Sequence, residues 1–224
     1  MAVTQETIVD MTTLPLLQQA REDTRAAFAA CSRLRHYRAG QLVQIEGDHC
    51  EYVHLVAKGL LRLRHFSPEG REHVVGYLGP GRLLNLAPAL DGGTALATVD
   101  ALTDVTTYVI PCTVLNEWLD RDAGLSAAIA RYLARDLRRL DEMLEEMALH
   151  SVRSRLARFL LNHAETNPTH HRWTQAMIAA NIGTVRDVVG RLLREMREEG
   201  IIRRERGRLV IVDREALERE ANAE

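Results

Sequence analysis

Three side chains able to read a polyanion's sequence stand close together near the end of the chain. They are Arg186, Asp187 and Arg191, within Thr174-QAMIAANIGTVRDVVGRLLREMREEG. The pattern predicts helix, turn and helix. Thr174 caps the first helix, which buries Met177, Ile178 and Ile182; Gly183 makes the turn and Thr184 caps the second helix. On that second helix Val185, Val189, Leu192, Leu193 and Met196 should face inward, while Arg186, Asp187, Gly190, Arg191 and Arg194 face out. Gly200 sits where a helix-ending glycine belongs. A recognition helix offers its first turns to base edges in the major groove. An arginine there can bind guanine O6 and N7 with two hydrogen bonds, and a carboxylate can accept from cytosine N4, each contact giving ~1–3 kcal/mol of discrimination. Local roles remain open for two of the three. Asp187, three residues after Thr184, fits the acidic half of a capping box. Arg191, four residues after Asp187, fits an intrahelical ion pair. Arg186 has no such local role, and Gly190 costs an exposed helix ~1 kcal/mol, which close approach to a DNA backbone would explain.

Other chemistries find fewer residues. Cys31, Cys50 and Cys112 are odd in number, widely spaced and without a CxxC, which argues against a disulfide framework, a zinc ribbon or a four-cysteine iron–sulfur site. Nine histidines occur without paired spacing. A metal-dependent β-roll enzyme, the alternative from a different class, needs clustered ligands such as HxH with a downstream Glu, and no HxH occurs. Neither GxSxG nor a Walker A motif is present. The reading is therefore of a binding protein rather than an enzyme, with no metal site. A purely structural oligomeriser would leave the Arg186–Arg191 face without a purpose.

The elements that would carry this face show three different periods. Charge divides them first: residues 1–150 carry 15 Lys and Arg against 20 Asp and Glu, whereas residues 151–208 carry 12 Arg against 6 acids. A basic block in an acidic chain is the electrostatic footprint of a nucleic-acid face. From about Gly40 to Ile110 short β-like runs are broken by Gly47, Gly59, Ser67-Pro68-Glu69-Gly70 and Gly79-Pro80-Gly81. In LLRLRHF, Leu61, Leu63 and His65 alternate with Arg62, Arg64 and Phe66, a half-exposed strand entering a hairpin. Such strands suggest a sandwich or jelly roll, ending where VTTYVI meets Pro111. From Ala123 to Met147 the period becomes 3.5. Ser126, Ala130, Leu133, Leu137, Leu140, Leu144 and Met147 form a heptad seam with charged flanks, so a coiled-coil partner and an isologous dimer are expected. From Ser151 another helix uses Val152, Leu156, Phe159 and Leu160. TNPTHHRW reads as a loop, and IIRRERGRLVIV as a hairpin turning at Gly207. Helix-turn-helix followed by a two-stranded ribbon outlines a winged helix. The start, MAVTQETIVDMTTLP, lacks the order of a secretory signal and no run reaches transmembrane length, so a cytoplasmic protein with no membrane partner is expected.

IGTVRDVVGRLL closely resembles the recognition helix of the cyclic-AMP receptor protein / fumarate–nitrate reductase regulator (Crp/Fnr) superfamily, whose pattern there is Arg-Glu-x-x-x-Arg. SPEGREHVVGYLGPG resembles the central hairpin of that family's sensor roll, and the heptad segment resembles its dimer helix. The resemblance spans nearly the whole chain. It implies an α+β protein: a cyclic-nucleotide-binding-like β-roll over residues 1–120, a dimerisation helix over 121–150 with its seam at Leu133, Leu137, Leu140, Leu144 and Met147, and a winged helix-turn-helix over 151–224. It also implies a homodimeric transcription regulator, activator or repressor, with palindromic double-stranded DNA and RNA polymerase as partners. Arg186 and Arg191 would bind guanines, and Asp187 stands where the family has Glu, one methylene longer. Thr174 and Gln175 match phosphate-touching positions, with Thr184 and Arg194 as further backbone candidates.

The sensor departs from the family pattern. Cyclic-nucleotide binders carry Gly-Glu, a short helix, then Arg with a small polar residue; the Glu holds the ribose and the Arg neutralises the phosphate. Here Asn85-Leu86 replaces Gly-Glu, and Thr94-Ala95-Leu96 replaces the Arg triplet. No Lys or Arg occurs between Arg82 and Arg121. An anionic phosphate buried without a cation or convergent amides is prohibitively costly, and Pro88 is expected to interrupt the short helix. On the dimer helix Leu140-Asp141 stands where the family's hydroxyl pair contacts adenine. Cyclic AMP is therefore not expected to bind in the family's usual way. The apolar cassette suits an uncharged or aromatic ligand, or its own side chains. Haem, with Cys50, His49, His54, His65, His73 and Cys112 as candidate ligands, and cysteine redox switching are the alternatives within the same fold.

Overall fold

The computed structural model describes residues 15–164, 173–205 and 208–223. The first residues, the TNPTHHRW stretch expected to be a loop (apart from Trp173), and the turn expected at Gly207 lie outside them. The chain divides into two compact units, one of residues up to 65 together with 75–137, the other of residues 66–74 together with 138–224.

In the first unit two short helices, α1 (Pro15–Gln18) and α2 (Glu22–Cys31), lead into β1 (Arg33–Tyr37), β2 (Leu42–Gln44), β3 (Tyr52–Lys58), β4 (Leu61–Phe66), β5 (Glu72–Leu78) and β6 (Leu83–Leu84). Then come α3 (Leu86–Asp91), β7 (Thr98–Ala101), β8 (Val105–Pro111), α4 (Cys112–Arg121) and α5 (Ala123–Leu149); Phe66 of β4, residues 72–74 of β5 and residues 138–149 of α5 fall in the second unit. The strands make two four-stranded sheets, ordered β1-β8-β3-β6 and β2-β7-β4-β5. Strand alternation divides their side chains between two cores. Val56, Leu61, Leu84, Val99 and Ala101 fill the space between the sheets. Val53, Leu55 and Ile110 face the other way, against Phe28, Leu115, Leu125, Ile129 and Tyr132 from α2, α4 and α5. Leu61 and Leu63 of LLRLRHF thus point into the roll, while Arg62 and Arg64 both pair with the buried Asp100 at 3.0 and 2.9 Å. The helices α1, α2 and α4 are additions to the strands expected for this region.

The second unit carries α6 (Val152–Ala164), α7 (Gln175–Ile182), α8 (Arg186–Glu198), the antiparallel pair β9 (Ile202–Glu205) and β10 (Arg208–Ile211), and α9 (Arg214–Ala221). Leu156, Phe159 and Leu160 of α6 pack on Ile178, Val189, Leu192, Met196, Ile202 and Leu217. Helix α9 was not anticipated by the charge count alone. It begins at Asp213, whose side chain accepts from Ala216 N at 2.9 Å, and ends with the Ala221 carbonyl accepting from Ser154 Oγ and Arg158 Nε, each at 2.8 Å.

Candidate nucleic-acid interface and sensor cassette

The helix-turn-helix is set by local caps. Thr174 Oγ1 accepts from Met177 N at 3.2 Å and starts α7. Gly183 ends it with φ +67°, the left-handed conformation that favours glycine. Thr184 does not cap α8 as the sequence pattern predicts. Its backbone N–H is taken by the Ala179 carbonyl at 3.0 Å, and Val185 becomes the cap residue without a side-chain bond. The turn is therefore one residue longer than drawn from sequence, and Val185, expected to face inward, is 45% exposed. With no capping side chain at this terminus, the capping-box reading of Asp187 lapses.

Arg186, Asp187, Arg191 and Arg194 all lie exposed along one side of α8, with Val189, Leu192, Leu193 and Met196 buried on the other. Arg191 reaches Glu195 at 3.6 Å rather than Asp187, so its intrahelical partner lies one turn further on than the sequence suggested. Gly190 finds its reason inside the motif: a Cβ there would stand 3.3 Å from Gln175 Oε1. The missing side chain lets α7 approach α8, and no DNA contact is needed to explain it. Gln175 is half-buried by this packing, Thr184 is half-buried and Thr174 exposed.

One residue that sequence reasoning missed organises the unit. Arg153 of α6 pairs with Glu220 of α9 at 2.6 Å, with Glu199 just past α8, and with Glu195 of α8 at 3.7 Å. Its hydrogen bonds to Glu220 and then to Glu199 raise its pKa above the ordinary arginine value. Its partners are 42 to 67 residues away in the chain, so no local pattern announces it.

Along α5 the seam residues form a stripe. Leu137 (67%), Leu140 (57%), Leu144 (67%) and Met147 (41%) are exposed, whereas Leu133 packs partly against the first unit's core.

In the first unit Asn85 adopts φ +67°, the one left-handed residue other than glycine among those described. Its amide donates to Gln44 Oε1 at 2.7 Å and to the Tyr52 carbonyl at 3.4 Å. Leu86 is 4% exposed within the core under the first sheet. Pro88 does not interrupt α3; it is the third residue of that helix, where an N–H has no intrahelical partner to lose. Ala95 is buried, Leu96 is 66% exposed, and Thr94 bridges to His49. Just before this cassette, Arg82 Nη2 meets Asp136 Oδ1 of α5 at 2.5 Å and lies 4.8 Å above the Tyr132 ring. Tyr132 Oη accepts from Leu83 N at 3.0 Å.

Of the histidines named as candidate ligands, His54 is buried between the sheets. Its Nδ1 is 3.3 Å from Thr107 Oγ1, and burial, then the nearby Arg35 charge, lowers its pKa to about 4. Burial raises the pKa of both Cys50 and Cys112. Among the described residues no group of three or more His, Cys, Asp or Glu is placed to hold a metal, and no helix is long and apolar enough to cross a membrane.

Comparisons with known proteins give two family matches along the chain. Residues 34–122 match the cyclic nucleotide-binding domain family, and residues 154–220 the Crp-like helix-turn-helix domain family. A cyclic AMP receptor protein from Thermus thermophilus is 30% identical over 175 residues, covering 75% of this chain and 79% of the relative. The CRP-like cAMP-activated global transcriptional regulator of Mycobacterium tuberculosis is 27% identical over 190 residues, 81% of this chain and 85% of its own. Among solved structures, a regulator assigned to the Crp/Fnr family from Eubacterium rectale superposes with a TM-score of 0.82 at 23% identity, over 93% of this chain and 98% of that one.

Proposed function

Because the chain belongs to the Crp/Fnr superfamily of transcription regulators, we propose that it acts as a homodimer reading palindromic DNA, under a sensor roll that no longer takes cyclic AMP in the family's manner. It is a DNA-binding regulator and not an enzyme. The observation that carries the finer reading is the exposed row of Arg186, Asp187 and Arg191 on the first turns of α8, backed by a buried apolar face that fixes their direction. Arg186 and Arg191 would bind guanines, Asp187 would accept from a cytosine, and Thr174, Gln175, Thr184 and Arg194 would meet the phosphates.

Pairing through α5 is supported by the stripe of Leu137, Leu140, Leu144 and Met147, which a solitary helix would leave in water. A second copy covers that stripe with the same stripe, as twofold symmetry requires. RNA polymerase is the partner that a regulator of this class would address.

The cassette supports a changed ligand. Leu86 places an apolar side chain in the core where the family's ribose-binding carboxylate would stand, and no Lys or Arg occurs between Arg82 and Arg121. An uncharged or aromatic effector suits that chemistry. The haem and redox alternatives have less support: His54 is held neutral between Thr107 and Tyr37, and burial keeps Cys50 and Cys112 as thiols.

A salt-titrated shift assay on palindromic and random duplexes tests the reading. Affinity should fall steeply with salt on both, and the palindrome should be preferred by several orders of magnitude. Arg186→Ala should cost about 1–3 kcal/mol and relax selection at one base pair of each half-site. Binding with neither salt dependence nor preference for a palindrome would sink it.

A further inference from the structure

We propose that Arg82 sets the strength of the subunit pairing by shielding Asp136 from Asp141 of the partner subunit. The proposal rests on the α5 pairing argued above. In the seam, Ala130, Leu137 and Leu144 are the a positions of a heptad, and Leu133, Leu140 and Met147 the d positions. The g positions that precede each a are then Ile129, Asp136 and Met143, and the e positions that follow each d are Ala134, Asp141 and Ala148. In a parallel pair each g residue faces the e residue five positions later on the other helix. The facing pairs are Ile129 with Ala134, Asp136 with Asp141, and Met143 with Ala148. The one charged combination sets carboxylate against carboxylate, and twofold symmetry repeats it. Like charges directly opposed across an interface destabilise it.

Arg82 supplies the missing cation from outside the helix. Its guanidinium is held at Asp136 at 2.5 Å and stacked over Tyr132, one helical turn away on the same face of α5. Both partners are partly covered, with side-chain exposures of 22% for Arg82 and 31% for Asp136, so their attraction is less screened than that of a fully solvated pair. The position of Arg82 in the chain gives the contact its consequence. It is followed at once by β6 and the cassette residue Asn85, and Leu83 N donates to the same Tyr132. Any rearrangement of the cassette that draws β6 away from α5 takes the cation with it. Four carboxylates, two on each subunit, are then left facing one another at the seam. Occupancy of the sensor is thereby converted into a change in how firmly the two helices hold together.

The test is sedimentation equilibrium of the full chain. Arg82→Gln should raise the dimer dissociation constant about tenfold at low salt, for two weak carboxylate repulsions across the seam unmasked together. The deficit should shrink as salt is added. Adding Asp141→Asn to Arg82→Gln should restore pairing, because it removes the opposing charge without rebuilding the β6 contact. Asp136→Asn alone, which leaves β6 intact, should pair at least as tightly as the unaltered chain. Arg82→Gln pairing like the unaltered chain would overturn the proposal. So would a failure of Asp141→Asn to rescue, or weakened pairing in Asp136→Asn, since either outcome would make Arg82 merely an anchor for β6. An unaltered chain that stays monomeric would overturn both this proposal and the dimer itself.

Discussion

Arg191 and Glu195 lie 3.6 Å apart and exposed, a pairing that contributes under about 1 kcal/mol. Little would therefore be lost if the guanidinium turned to a guanine, as proposed for it. His54 illustrates the opposite regime. Buried beside Thr107, it keeps a pKa of about 4 against an ordinary 6.5. The folded state thus holds the ring neutral, while the unfolded chain begins to take up its proton as pH falls through 6.5. Stability from this site is fully present at neutral pH and drains away between pH 6.5 and 4, by up to about 3 kcal/mol. Urea midpoints measured from pH 7 to pH 4.5 should fall more steeply for the unaltered chain than for His54→Gln; parallel profiles would show that His54 is not the group responsible. At this scale the sequence was informative where chemistry is local. Thr174 was recognised as a cap from its place before an apolar run, and Gly183 from its place between two helices. Thr184 was misjudged because its N–H closes the preceding helix, a bond made five residues back and invisible in the pattern that follows it.

Among the elements, α9 depends on interactions that reach across the chain. Arg153 joins it to α8 and to the residue just beyond through Glu220, Glu195 and Glu199. Arg153→Ala would leave these three carboxylates without their shared cation. The change should lower the unfolding free energy of the second unit by about 2 kcal/mol, and Arg153→Lys should recover only part of that, since an ammonium cannot reproduce the forked geometry. Urea denaturation followed by far-ultraviolet circular dichroism reads the loss directly. The strands of the roll were legible because alternation and glycine breaks repeat several times between Gly40 and Ile110. The heptad helix was legible because its period persists for three heptads. Helices α4 and α9 were not read. Their eight to ten residues give little room for a period to show, and α9 is charged on every face except that of Leu217 and Ala221.

For the whole molecule, sensor chemistry and DNA reading are separable questions. Cyclic AMP added up to millimolar concentration should leave the melting temperature unchanged, whereas a ligand of the native state would raise it progressively with concentration. A concentration-dependent rise would show that the roll holds a phosphate site despite Leu86 and the lack of Lys or Arg between Arg82 and Arg121. The fold class followed from the order of periods along the chain, and the family from the motif on α8. The Arg82 contact with α5 did not follow, because Arg82 and Asp136 meet only when the roll closes on the helix 54 residues later.

Asn85 and Leu86 also bear on how the cassette could be re-engineered. Asn85 is held in a left-handed turn at a cost that glycine would avoid, and its amide bonds Gln44 and Tyr52. Leu86 is part of the packing beneath the first sheet. A carboxylate installed at position 86 would have to enter that apolar interior, so the fold would be weakened before any ligand was gained.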